Sequence, residues 1–231
     1  MNRFISRRNV AIWIFCGALI VCACSCARKK KEPPAVRERS EVGGVTVKED
    51  MRPSIVAFGN SLTAGQGVDP ALNYPSILQR KIDEKGYAYK VLNYGVSGDT
   101  SGQGLNRLDA IIELKPAIVI VELGANDGLR GIPSDVTKQN LAAIIERLQG
   151  AGAAVVLAGM RVPPNYGPQY TVAFRDIFRD LAKKYHTPLV PFFLEGVGGI
   201  AALNQDDGVH PTAEGYQIIA GNVWNVLRPL L

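Results

Sequence analysis

At 231 residues the chain has room for one domain with a substantial core but not for two large ones, and its 47% apolar, 7% aromatic and 20% charged composition excludes a disordered protein. The net charge of +5 belongs to residues 1–31, which hold seven basic side chains (Arg3, Arg7, Arg8, Arg28, Lys29, Lys30, Lys31) and no acidic ones; the remainder has 19 basic against 21 acidic residues, a balance of −2 that excludes a nucleic-acid-binding surface. All four cysteines (Cys16, Cys22, Cys24, Cys26) lie in the same stretch, so the rest of the chain has no disulfide, no thiolate metal site and no cysteine nucleophile.

Residues 1–27 read as a secretory leader, with a basic start followed by the uncharged run Val10 to Ala27. Val21-Cys22-Ala23-Cys24 resembles a bacterial lipoprotein processing site, with Cys24 the candidate for lipidation and Cys26 the alternative. Two other readings stand beside it: an uncleaved membrane anchor, since the 18 uncharged residues just span a thin bilayer, and a simple cleaved signal. All three place the following domain outside the cytoplasm, in the cell envelope or periplasm, and the first two tie it to the membrane. Residues 28–52, with Pro33-Pro34, Gly43-Gly44 and mixed charges, form a solvated tether to a domain at 53–231.

From Pro53 onward, short apolar runs alternate with helical periodicity. The pattern predicts strands at Ile55–Phe58, Lys90–Tyr94, Ala117–Leu123, Ala154–Ala158 and Leu189–Val190. Between and after them it predicts helices at Tyr74–Glu84, Gln103–Glu113, a helix capped by Ser134 and running to Leu148, Tyr170–Lys183 and Thr212–Leu227. Continuous apolar strands separated by helices mean a parallel sheet covered on both faces. The fold class is therefore α/β, a three-layer α/β/α domain with about five strands. In such sheets the functional loops leave the carboxyl ends of the strands.

Three of those loops are polar and glycine-rich: Gly59–Gly65, Asn93–Thr100 and Gly124–Gly128; a fourth polar segment, Asp206–Pro211, precedes the last helix. Ser61 sits where the first strand turns, exposing its hydroxyl and aiming its own N–H at a developing oxyanion. A serine hydroxyl needs a base beside it. The chain has only two histidines; His186, between a helix end and Thr187-Pro188, reads as a surface residue, which leaves His210. Asp207, three residues earlier, can fix the imidazole tautomer from the same loop, with Asp206 as its rival. The Gly98 N–H and the Asn126 amide complete the oxyanion hole. Taken singly, Ser61 is an ordinary turn serine, His210 a helix-entry residue, Asn126 a turn former and Gly98 a glycine with positive φ; Glu122 and Asp127 read as structural. The Gly59–Gly67 loop lacks the Gly-Lys-Ser/Thr ending of a nucleotide cradle, and no G-x-G-x-x-G or zinc spacing is present, so no cofactor and no metal are expected.

In this order the four segments resemble the conserved blocks of the SGNH, or GDSL-type, serine hydrolases. Ser97-Gly98-Asp99-Thr100-Ser101, Val121-Glu122-Leu123-Gly124, Asn126 to Gly131 and Pro191-Phe192-Phe193 are similar to the bacterial periplasmic group with thioesterase, lysophospholipase and arylesterase activity. The resemblance spans residues 54–229 and implies a flavodoxin-like fold, nucleophile Ser61, oxyanion donors Ser61, Gly98 and Asn126, and the pair Asp207 and His210, favouring Asp207 over Asp206. Two positions depart from the pattern. Asn60 stands where the family name requires aspartate, and Ala125 stands where glycine is common. The resemblance also implies small-molecule or lipid esters of medium to long acyl chains as substrates, and the extracytoplasmic site disfavours acyl-CoA. Leu129, Ile132, Pro163 and Tyr166 are the candidates to line the acyl groove. The alternatives are a carbohydrate acetyl esterase of the same superfamily and a non-catalytic envelope binding domain.

Overall fold

The computed structural model describes residues 50–231; the leader, its candidate Cys24 and nearly all of the tether lie outside the described residues. The elements run β1 (Ser54–Gly59), α1 (Ser61–Ala64), α2 (Tyr74–Glu84), β2 (Lys90–Gly95), α3 (Ser101–Asn106), α4 (Leu108–Glu113), β3 (Ile118–Glu122), α5 (Ala125–Leu129), α6 (Ser134–Gly150), β4 (Ala154–Ala158), α7 (Pro168–Tyr185), β5 (Leu189–Val190) and α8 (Ala213–Leu227). Every strand pairing is parallel and the order is β2-β1-β3-β4-β5. Consecutive parallel strands need crossovers, and the helices supply them. Helices α2 and α8 pack together as one layer, and α3, α6 and α7 as the other. The result is the three-layer α/β/α arrangement expected from the apolar runs.

Burial explains the strand signals. All of β1 and β3 is buried, so both read as unbroken apolar runs, whereas edge strand β2 is only partly covered and carries Lys90, Asn93 and Tyr94. The amphipathic helices bury one face each, such as Leu141, Ile144, Ile145 and Leu148 of α6 and Phe174, Ile177, Phe178 and Leu181 of α7. Tyr74 meets Phe193 edge to face at 5.2 Å, beneath the loops that carry the polar motifs.

The helix predicted over Gln103–Glu113 is two helices. Thr100 starts the first one earlier through a reciprocal capping box with Gln103, and Arg107 leaves helical geometry at φ −106°, ψ 12°. The Arg107 guanidinium is drawn instead to Asp99 at 2.6 Å, to the Gly59 carbonyl at 2.9 Å and over the Phe58 ring at 4.4 Å. Ser134 is not the cap of α6 but its first helical residue; Pro133 occupies the cap position and offers no side-chain acceptor. Thr212 does cap α8, accepting from the Gly215 N–H at 3.3 Å.

Register positions the site. Gly59 at the end of β1 is level with Gly95 on one side and Glu122 on the other. The three loops that follow these strands thus begin along one line at one edge. Successive strands are added on opposite sides of β1, β2 on one and β3 on the other, which opens a crevice there between the loops.

Candidate active site

The nucleophile turn is built by its first residue. Asn60 Oδ1 accepts the Leu62 N–H at 2.9 Å and so starts a single helical turn, which Gly65 ends in the left-handed region at φ 81°. Ser61, 8% exposed, is the first residue of that turn, and its backbone N–H has no carbonyl one turn back to donate to. Beneath it lies a buried polar group. Glu122 accepts the Asn60 N–H at 3.2 Å, Asn60 Nδ2 at 2.9 Å and Thr63 Oγ1 at 2.8 Å, and Thr63 pairs with the Tyr74 hydroxyl at 3.2 Å. Burial pushes the Glu122 carboxyl up to about 8 although those hydrogen bonds favour its ionised form. Burial also drives the Tyr74 and Tyr216 phenols far above the ordinary tyrosine range, with the nearby Glu122 adding to it.

The histidine loop approaches from the other end of the domain. His210 Nε2 lies 2.9 Å from Ser61 Oγ, and His210 Nδ1 lies 2.6 Å from Asp207 Oδ2. Asp207 Oδ1 accepts the N–H groups of Val209 and His210, each at 2.9 Å, so one carboxylate shapes the loop and orients the ring. Those bonds, first the His210 N–H and then its ring, hold the Asp207 carboxyl far below the usual carboxylate range. An ionised Asp207 takes the proton-bearing Nδ1 as its donor and leaves the Nε2 lone pair facing the serine. Asp206 is exposed and makes no hydrogen bond to the imidazole among the described residues. Gln205, which sequence reasoning missed, pins this loop: its Nε2 donates to the Gln66 carbonyl at 2.8 Å and to the Pro211 carbonyl at 2.9 Å.

The third corner is the loop after β2, held in place by α5. Gly98 adopts φ 87°, which favours glycine, and its N–H has no partner among the described residues. Asn126 Nδ2 donates to the Asp99 carbonyl at 2.9 Å, which leaves its second amide hydrogen for another acceptor. Buried Asp127 accepts both the backbone N–H of Ser101, at 2.7 Å, and its hydroxyl; Arg130 donates to the Gly98 carbonyl at 2.9 Å. Ser61, Asp207 and His210 are thus joined by hydrogen bonds, and the α5 loop carrying Asn126 is bonded directly to the loop carrying Gly98.

The proposed groove residues are only partly brought together. The Tyr166 hydroxyl donates to the Leu129 carbonyl and the Tyr170 hydroxyl to the Ile132 carbonyl, each at 2.8 Å, tying the loop after α5 to the segment entering α7. A cavity of about 650 Å³ beside them is lined by Tyr166 and Tyr170 but not by Leu129, Ile132 or Pro163. Exposed His186 is the left-handed C-cap of α7 at φ 52°. Among the described residues no three His, Cys, Asp or Glu side chains are grouped as metal ligands.

Comparisons with known proteins find relatives over most of the described chain. The family model described as GDSL-like lipase/acylhydrolase matches residues 57–218. Esterase TesA of Pseudomonas aeruginosa is 44% identical over 179 residues, covering 77% of this chain and 89% of that protein. Thioesterase 1/protease 1/lysophospholipase L1 of Escherichia coli K12 is 40% identical over 179 residues, covering 77% of this chain and 85% of that protein. A crystal structure of TesA superposes with a TM-score of 0.75 at 44% identity, covering 77% of this chain and 99% of that one.

Proposed function

The chain belongs to the GDSL-like lipase/acylhydrolase family, and from that premise we propose that it cleaves carboxylic esters by acyl transfer to Ser61, with His210 as general base and Asp207 as the orienting carboxylate. The observation that carries the reading is the continuous hydrogen-bonded line Asp207–His210–Ser61, at 2.6 and 2.9 Å. It is an ester hydrolase, as its esterase, arylesterase and thioesterase relatives are named.

In the proposed reaction, His210 Nε2 takes the Ser61 proton as Oγ adds to the ester carbonyl. The oxyanion that forms faces the N–H groups of Ser61 and Gly98 and the free amide hydrogen of Asn126. Collapse expels the alcohol, which receives the proton from His210, and leaves the acyl group on Ser61. Water deprotonated by His210 repeats the addition and releases the acid. The scheme uses no metal and no cofactor.

Relatives named thioesterase, lysophospholipase and arylesterase support acyl esters, thioesters and lysophospholipids as the substrate class. The links from Tyr166 to Leu129 and from Tyr170 to Ile132 support an acyl groove over that side of the site. The leader supports action outside the cytoplasm, and Cys24 supports a lipid anchor; labelling with an alkyne fatty acid should be lost in Cys24→Ala. The central test is a fluorophosphonate probe with peptide mapping, beside turnover of acyl esters of graded length. Ser61 should carry the label, and Ser61→Ala should lose about 10³-fold or more in kcat. Labelling of another residue, or unchanged turnover in Ser61→Ala, refutes the assignment.

A further inference from the structure

The acyl-transfer scheme leaves unused the one carboxyl buried directly under the nucleophile turn. Glu122 closes β3, is fully buried and stands level with Gly59. All of its hydrogen bonds go to the two residues that bracket Ser61 and Leu62: the Asn60 N–H and Nδ2, and Thr63 Oγ1. The space is tight. A Cβ on Gly59 would lie 2.6 Å from Glu122 Oε2 and 2.1 Å from Thr63 Oγ1. From other elements, the Tyr74 hydroxyl of α2 reaches this cluster through Thr63, the buried Tyr216 hydroxyl of α8 has no hydrogen-bond partner among the described residues, and the Arg107 guanidinium donates to the adjoining Gly59 carbonyl at 2.9 Å.

We propose that Glu122 is the positioning residue for Ser61, acting through Asn60 and Thr63, and that Asn60 and Glu122 form a matched donor–acceptor pair. The proposal rests on Ser61 being the nucleophile.

Hydrogen-bond direction carries the argument. Asn60 cannot turn its amide over, because Oδ1 must face the Leu62 N–H that starts the helical turn. Its Nδ2 therefore faces position 122, and the atom there must accept. The neighbouring atom of residue 122 must accept as well, from the Asn60 backbone N–H. A glutamate meets both demands: ionised it offers two acceptor oxygens, and protonated it can turn its O–H toward the Thr63 hydroxyl while both oxygens still accept from Asn60. A glutamine offers one oxygen and one NH₂, so either orientation sets an N–H against an N–H. Aspartate at position 60, the residue in the family name, creates the opposite conflict: two carboxyl oxygens meet at the 2.9 Å now spanned by Nδ2 and Oε1, and they stay together only with a proton between them. Exchanging both residues resolves the conflict. In Asn60→Asp/Glu122→Gln the new amide donates to the new carboxylate, its oxygen accepts the residue 60 N–H and the Thr63 hydroxyl, and the second carboxylate oxygen keeps the Leu62 N–H.

The experiment compares the full chain with Glu122→Gln, Asn60→Asp, the double exchange and Thr63→Val. It reads kcat and KM on a soluble acyl ester, the rate of fluorophosphonate labelling of Ser61, and the far-ultraviolet circular dichroism of each protein. Glu122→Gln should lose about 10- to 100-fold in kcat and in labelling rate, with KM within about 3-fold, since the serine is misplaced and substrate contacts are not. The double exchange should recover to within about 3-fold of the wild type. Asn60→Asp should come closest to the wild type at acid pH and fall away as pH rises and the shared proton leaves. If Glu122→Gln does not fold, the double exchange and Thr63→Val carry the test, with a kcat loss of about 3- to 10-fold expected for the latter. Glu122→Gln labelled as fast as the wild type, or a folded double exchange no better than Glu122→Gln, overturns the pairing. An unlabelled wild-type Ser61 overturns instead the reading of Ser61 as nucleophile.

Discussion

Gly95→Ala should disable the enzyme far more than it destabilises the fold. Gly95 ends β2 beside the helical turn that carries Ser61. A Cβ at this position would lie 2.1 Å from Ala64 N and 2.7 Å from both Ala64 Cα and the Thr63 carbonyl carbon. All three are backbone atoms, so no side chain can swing aside. An ordinary carbon contact needs about 3.5 Å or more, so strand and turn must part by on the order of 1 Å. Overpacking of this kind costs about 1–3 kcal/mol, a loss that a domain of this size can survive. The geometry of the site is less forgiving. Gln205 ties the histidine loop to Gln66, just after α1, whereas the loop carrying Gly98 follows β2 and is bonded to Asn126 and Arg130, so α1 moves away from the proposed oxyanion donors. An acyl carbonyl on Ser61 is then displaced from the Gly98 N–H and the Asn126 amide. A 1 Å misplacement costs about 10²-fold in rate. The assay is kcat on a p-nitrophenyl acyl ester at 25 °C, beside the urea midpoint. Gly150→Ala is the control, because nothing lies within 4 Å of a Cβ there. A Gly95→Ala enzyme with kcat within about 3-fold of the wild type would refute the reasoning that α1 is fixed by its contact with β2.

Asp207→Asn should lower kcat by about 10³- to 10⁴-fold, because an amide can donate to Nδ1 and so stabilise the wrong tautomer, whereas Asp206→Asn should stay within about 2-fold; steady-state kinetics of the two variants decide between the neighbouring acids. The raised carboxyl of Glu122 makes folding pH-dependent: the folded chain keeps a proton that the unfolded chain has lost. That contribution is complete below the ordinary glutamate range and is lost as pH climbs to about 8. The urea midpoint should therefore decline across that window, and a folded Glu122→Gln protein should show a flatter profile; a profile of equal slope in both proteins contradicts the assignment. Tyr166→Phe and Tyr170→Phe each remove a hydroxyl that donates to a carbonyl of the loop after α5, at about 0.5–1.5 kcal/mol apiece. Combined, they should alter the preference for long over short acyl esters while leaving acetyl ester turnover within about 3-fold, as chain-length profiling will show.

Much of this was legible in the sequence because burial writes directly into composition. Strands β1 and β3 are covered on both faces and read as apolar runs, and α2 shows its bounds through Tyr74-Pro75 at one end and the Glu84–Gly86 stretch at the other. The placement of Ser61, Gly98, Asn126, Asp207 and His210 at one edge followed from the rule that loops leave the carboxyl ends of parallel strands. What the sequence hid were side chains whose effect depends on distant partners. Arg107 interrupts a helical pattern because its guanidinium is held by Asp99 and by the Gly59 carbonyl, 48 residues away. Gln205 looks like any polar loop residue, yet it anchors the histidine loop to Gln66 across 139 residues.

Glu122 shows where reading along the chain stops and spatial reasoning begins. Along β3 it is a charged interruption at the end of an apolar run, and Asn60 is a missing charge; each alone looks like a departure to be tolerated. The register of β1 with β3 sets Gly59 opposite Glu122, which brings Asn60 within reach of its carboxyl. The two departures then account for one another. A second carboxylate at position 60 would compete with Glu122 for a proton, whereas the amide supplies a donor on one side and still accepts the Leu62 N–H on the other. Hydroxyl position at Ser61 is therefore controlled from below by a pair that shares no sequence motif. The general consequence is that a residue at odds with a family pattern is best judged against the side chain facing it across the sheet.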